Sequence, residues 1–94
     1  MSTVASVETL EVDALTEQYN YAVIRLPERK FPGVVVQGDS LSTLVADLRC
    51  ALDYLREGAV EDGIAEVADV LESLESAKGS YEAALAAHSI ALPY

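Results

Sequence analysis

Residues 33–57 read GVVVQGDSLSTLVADLRCALDYLRE, and two periodicities meet inside them. Val34, Val35 and Val36 make a short continuous apolar run, the pattern of a buried strand. After Gly38 the apolar residues fall at Leu41, Leu44, Val45, Leu48, Leu52 and Leu55, the spacing of an amphipathic helix. The change takes place over Gly38-Asp39-Ser40. Glycine suits the turn, and Asp39 puts negative charge near the positive end of the helix dipole. Ser40 is expected as the N-cap, its hydroxyl accepting from a free first-turn amide. A sheet therefore precedes this corner and helices follow it.

Upstream, residues 7–14, VETLEVDA, alternate loosely as a half-buried strand does, with Leu10, Val12 and Ala14 opposite Glu11 and Asp13. Residues 21–26, YAVIRL, are rich in β-branched and aromatic side chains and give a second strand. Pro27 ends it, since proline has no N–H for a ladder. Three strands at about 7–14, 19–26 and 33–37, joined by short connections, favour an antiparallel meander.

Downstream, Gly58 is the expected stop of the first helix. A second stripe runs through Val60, Ile64, Val67, Leu71 and Leu74 and is expected to end at Gly79. Ser80 would then cap a last short helix over about 81–88. Gly63 falls inside the second helix, where glycine costs about 1 kcal/mol against alanine, and a close helix contact would account for it. The fold class is α+β: a three-stranded antiparallel sheet followed by two to three helices, β-β-β-α-α-α. A single domain over 1–94 is expected, with Met1–Ser6 frayed. The first helix stripe, through Leu48, is expected to cover one sheet face. The apolar tail, residues 90–94, is expected to pack back on the fold.

Six basic residues stand against sixteen acidic ones, a formal net charge of −10. Such a chain repels nucleic acid and anionic membranes, and it suits a basic protein partner or simply stays soluble. Arg25, Arg29 and Lys30 gather on or beside one connection, while the chain from Asp47 onward is acidic. One cysteine, Cys50, leaves no intramolecular disulfide or thiolate metal cluster. No apolar run reaches the roughly 20 residues of a membrane span, and no basic stretch leads into an apolar core as in a signal peptide. A cytoplasmic location is expected.

No catalytic, cofactor or metal site is expected. His88 is the only histidine, and nothing in its spacing pairs it with Ser40, Ser42 or Cys50 as a base with a nucleophile. It reads as a helix-terminal packing residue. Asp62, Glu66 and Asp69 share a helical face, with Glu61 beside them, but no calcium-loop spacing accompanies them. Cys50 lies almost opposite the Leu48 stripe, with Ala46 and Asp53. That placement calls for cover by the second helix or by another chain. Phe31, between Arg29-Lys30 and Pro32-Gly33, is either an interface anchor or a core plug. The candidate partner-binding residues are Arg25, Arg29, Lys30 and Phe31 on the loop, and Glu61, Asp62, Glu66 and Asp69 on the second helix.

Residues 21–55, YAVIRLPERKFPGVVVQGDSLSTLVADLRCALDYL, resemble the core of HicB-type antitoxins. Tyr21, Phe31, Pro32, Gly33, Gln37, Gly38, Asp39, Ser40 and Leu41 stand where that pattern has them, and the likeness covers about residues 19–57. The chain resembles still more closely a group of small bacterial proteins with this core and a leucine-proline-tyrosine end. It is also similar to the small, acidic α+β immunity proteins of contact-dependent toxin systems. HicB-type proteins continue into a DNA-binding module, whereas this chain continues into acidic helices. The resemblance implies a protein that neutralises a partner toxin, plausibly a basic nuclease, by stoichiometric binding, and it supplies no catalytic residue. The alternative is a structural or assembly module that acts as a homodimer.

Overall fold

The structure, a computed structural model, describes residues 6–94. The expected fraying of Met1–Ser6 lies, apart from Ser6, outside them. Strands β1 (Asp13–Ala14), β2 (Val23–Arg25) and β3 (Gly33–Val34) form one antiparallel sheet in the order β1-β2-β3.

The strands are shorter than their sequence patterns suggest. Asp13 pairs with Arg25 and Ala14 with Ile24. Further out, the partners of β1 would be Leu26 and Pro27. Those residues belong to a turn in which the Arg29 N–H donates to the Leu26 carbonyl at 3.2 Å. Val7, Leu10 and Val12 thus face no strand and stay exposed. On the other side of β2, Val23 pairs with Val34 and Ile24 with Gly33. The Val35 N–H adds a bond to the Ala22 carbonyl at 2.8 Å.

Two helices follow, α1 (Gly38–Arg56) and α2 (Val60–Ala87). Helix α1 starts at Gly38, with Gln37 at the cap position and no side-chain capping bond. The Asp39 carboxylate accepts from the Ser40 N–H at 2.8 Å. Asp39, not Ser40, is therefore the local side-chain acceptor at this corner. Gly58, at φ 83°, makes the reversal between the helices, a conformation that costs glycine nothing sterically.

Helix α2 passes through Gly79 and Ser80 without a break, so there are two helices and not three. Packing explains the continuation. Tyr81, Ala84 and Leu85, just beyond Gly79, form the core with Val23, and Leu15 and Ile90 pack against them. Burial of these side chains offsets the helix cost of one glycine, about 1 kcal/mol. The Tyr81 hydroxyl donates to the buried carbonyl of Pro32 at 2.8 Å.

The sheet is therefore covered by the C-terminal third of α2 and not by α1. Leu48, expected at the centre of the core, is 46% exposed. Helix α1 lies along α2 instead. A Cβ at Gly63 would stand 2.7 Å from Leu55 side-chain carbons and 3.3 Å from the Ala51 carbonyl oxygen. This is the close helix contact that the glycine implies.

The tail packs back as expected. The Tyr94 hydroxyl donates to Glu82 at 3.0 Å, and the Lys78 ammonium sits 5.0 Å from the Tyr94 ring centre. His88 ends α2, with Nε2 3.1 Å from the Leu15 carbonyl oxygen. The molecule is flat, 48 × 46 × 21 Å, with a radius of gyration of 17.3 Å. A compact chain of this length would have roughly 12 Å.

Candidate functional site

The helical hairpin carries an extended apolar feature of the surface. On α1, Leu41, Val45, Leu48, Leu52 and Leu55 are exposed, and on α2, Val60, Ile64, Val67, Leu71 and Leu74 are exposed. The covered positions lie elsewhere on each helix: Leu44, Asp47, Ala51 and Tyr54 on α1, and Gly63, Val70 and Ala77 on α2. On both helices the covered line stands roughly a quarter-turn to the same hand of the exposed stripe, at about 100° per residue. The helices are antiparallel, so the same offset puts both stripes on the same side of the hairpin. The result is one continuous apolar face, two helices wide.

Helix α1 is about 28 Å long at 1.5 Å per residue, while a strand of two or three residues spans only about 7–10 Å. The sheet could not have covered both stripes. Strands of five to eight residues, as the sequence suggests, would have spanned about 17–26 Å, so the mismatch emerges only with the short strands of the structure, and sequence reasoning assigned the first stripe to the core.

At its open end the face meets the sheet. Tyr21, Pro32, Val34, Leu74, Tyr81 and Tyr94 line an open cleft of about 390 Å³ there. The opposite side of the hairpin is polar. Asp62 and Asp69 are exposed there and Glu66 half-buried, while Glu61 stands on the outer edge of α2. Cys50 is half-buried on this polar side. Beside it, the Tyr54 hydroxyl has its pKa raised, first by the charge the Cys50 thiol would carry and by their hydrogen bond, then by Asp62 and Glu66. The Tyr94 hydroxyl is also raised, chiefly by desolvation and then by its bond to Glu82.

The chain's family can be placed against this geometry. A family of unknown function, DUF6959, matches residues 7–94. The chain belongs to the DUF6959 family. The match includes the sheet and both helices, so the apolar face lies within the DUF6959 region. No curated protein and no solved structure matches the chain.

The remaining candidate residues of this DUF6959 protein fall on the sheet side. Phe31 is 36% exposed, with the Lys30 ammonium 5.2 Å from its ring centre. It lies at the surface and outside the core cluster. Arg29 and Phe31 border a shallow hollow with Ile24, Leu26 and Val35. Arg25 is engaged with Asp13 at 3.2 Å. Of the three cations read from the sequence, Arg25 is thus taken up by the β1–β2 pair. The loop residues and the acids of α2 belong to different parts of the surface, and the structure does not join them in one site.

Hydroxyls gather in one further place, an open cleft bordered by Tyr19, Ser40, Thr43, Ser73, Ser76 and Ser80. His88 lies elsewhere, on the Leu15 carbonyl. Among the described residues no group of three or more His, Cys, Asp and Glu side chains is placed to hold a metal ion. No helix among them is long and apolar enough to cross a membrane.

Proposed function

We propose that this protein is a non-catalytic binding module that works by stoichiometric protein–protein association. The observation that carries this reading is the apolar face of α1 and α2, ten large aliphatic side chains between 42% and 59% exposed. Contiguous apolar patches beyond a few hundred Å² are rare on monomers and mark interaction surfaces. The net charge of −10 works against nucleic acid as the partner.

A second reading, an antitoxin- or immunity-type protein that occludes a basic toxin, is favoured by the exposed Arg29-Lys30-Phe31 loop. An aromatic flanked by cations has the composition of an interface anchor. In that case the acids Asp62, Glu66 and Asp69 steer the encounter and Phe31 fills a pocket on the toxin.

Co-purification of the tagged chain from cells that express it natively, with identification of the bound proteins, tests both. Under the first reading Leu48→Glu strips the bound protein and Phe31→Ala leaves it in place. Under the second, Phe31→Ala with Arg29→Ala strips a basic protein, and Leu48→Glu does not. If neither variant changes what is bound, both readings fail.

A further inference from the structure

The hairpin has the construction of one half of a four-helix bundle. Its two helices approach closely at Gly63, where a side chain would collide with Leu55, and both present their apolar stripes to the same side. We propose that this face is covered by a second copy of the chain. The two copies are related by a two-fold axis parallel to the helices, so that α1 of each lies antiparallel beside α2 of the other. This deepens the protein-binding reading above and names its partner.

The area fits. Ten aliphatic residues left about half exposed present apolar surface on the order of 800 Å², which is what one partner contributes to a standard interface. The whole chain exposes 7191 Å², against roughly 5,200 Å² for a compact monomer of its mass. Alongside the exposed stretch 7–12, the open helical face contributes to that surplus. The sheet is no obstacle, because it sits on the C-terminal third of α2, where the open face ends.

Charge selects the copy and its orientation. The outer edge of α1, away from α2, carries Ser42, Arg49 and Arg56 at seven-residue spacing. The outer edge of α2 carries Glu61, Ala68 and Glu75 at the same spacing. Within one chain these edges point apart. Among the described residues the only ion pair is Asp13–Arg25, so the edge charges have no partner at home. The proposed axis brings the basic edge of α1 beside the acidic edge of the partner's α2. Gly63 lies level with Ala51 and Leu55. On that register Arg56 comes level with the partner's Glu61, Ser42 with the partner's Glu75, and Arg49 about one turn from the partner's Glu72. An axis across the helices would instead set basic edge on basic edge and acidic on acidic, an arrangement that like charges oppose.

Sedimentation velocity at micromolar concentration tests the proposal. The expected species has twice the 10.0 kDa chain mass. Leu48→Glu, which sets two carboxylates at the centre of the interface, should weaken association by more than a hundredfold while circular dichroism still reports the helices. Arg56→Glu should weaken it roughly tenfold, since symmetry doubles each new like-charge contact. Arg56→Glu combined with Glu61→Arg should restore it. Because both of those positions are exposed, this pair remains a test even if Leu48→Glu fails to fold. A wild-type monomer at tens of micromolar overturns the inference, and so does a dimer indifferent to Leu48→Glu. No recovery in the combined variant overturns the orientation. If the wild type is monomeric yet Leu48→Glu still strips a co-purified protein, only self-pairing fails. If the monomer and Leu48→Glu carry the same proteins, the apolar face as a binding surface fails with it.

Discussion

One line of side chains along α2 meets two different ends. Val67, Leu71 and Leu74 continue along the helix to Leu85 on the same stripe. The first three are 42%, 53% and 45% exposed, and Leu85 is 0% exposed because Val23 of the sheet packs on it. Chemistry and spacing are alike at the two ends, and the cover is not. An amphipathic pattern specifies which face must be removed from water; it says nothing about what removes it. At the C-terminal end the cover is the chain's own sheet, and along the rest of the hairpin it has to come from outside.

The contrast can be broken first at Leu85. Leu85→Ala should lower unfolding free energy by about 2–5 kcal/mol, as for a fully buried leucine. Urea denaturation should show that loss at every protein concentration. Leu48→Ala should show a loss only where the protein is concentrated enough to associate. Equal losses at high dilution would mean that the two ends are covered alike.

Tyr81→Phe should cost about 1–3 kcal/mol, since the buried Pro32 carbonyl loses its donor. A urea midpoint unchanged from wild type would show that the sheet end tolerates an unpaired acceptor.

The two glycines of α2 sharpen the contrast further. A Cβ at Gly79 would meet no atom within 4 Å, whereas one at Gly63 meets Leu55 at 2.7 Å. Gly79→Ala should therefore gain up to about 1 kcal/mol from helix propensity. Gly63→Ala should lose about 1 kcal/mol net, because overpacking against α1 outweighs the same gain. Thermal melts of the two variants should move in opposite directions.

Ser40→Ala should be the smallest effect, within about 0.5 kcal/mol. Its hydroxyl does not cap α1. A loss of about 1 kcal/mol, the usual worth of a serine cap, would restore serine as the helix start.

Much of the fold was legible. The three strands, their antiparallel order and both helical stripes follow from alternation, from Pro27 and from apolar spacing. The close approach at Gly63 follows from a glycine inside a helical pattern, and the reversal at Gly58 from a glycine at its end. Two things were not legible, for related reasons. Gly79-Ser80 has the local chemistry of a helix stop, but the burial of Tyr81 and Leu85 against Val23 is a long-range effect that overrides it. The Leu48 stripe has the look of a core because periodicity cannot distinguish a face turned to a sheet from one turned outward. Of the candidate site, the loop aromatic was read as either anchor or plug, and at 36% exposure it lies at the surface. The pairing of Arg25 with Asp13 could not be seen until the β1–β2 register set the two side by side.

The contact between Val23 and Leu85 also has a consequence for how the chain is made. Residues of all three strands leave the ribosome before the segment that shelters them, residues 81–90, has been synthesised. At about 5–20 residues per second, the stretch from Val34 to Tyr81 takes roughly 2–10 s. During that interval the side chains that cover Val23 in the folded chain, Tyr81, Ala84 and Leu85, are not yet present. The helical hairpin, by contrast, joins neighbours in sequence across Gly58 and can close as soon as α2 emerges. Emergence of residues 81–90 is therefore the step that completes the fold. Truncation before Tyr81 should leave a hairpin without a sheet, a species in which the strand residues are free to be degraded.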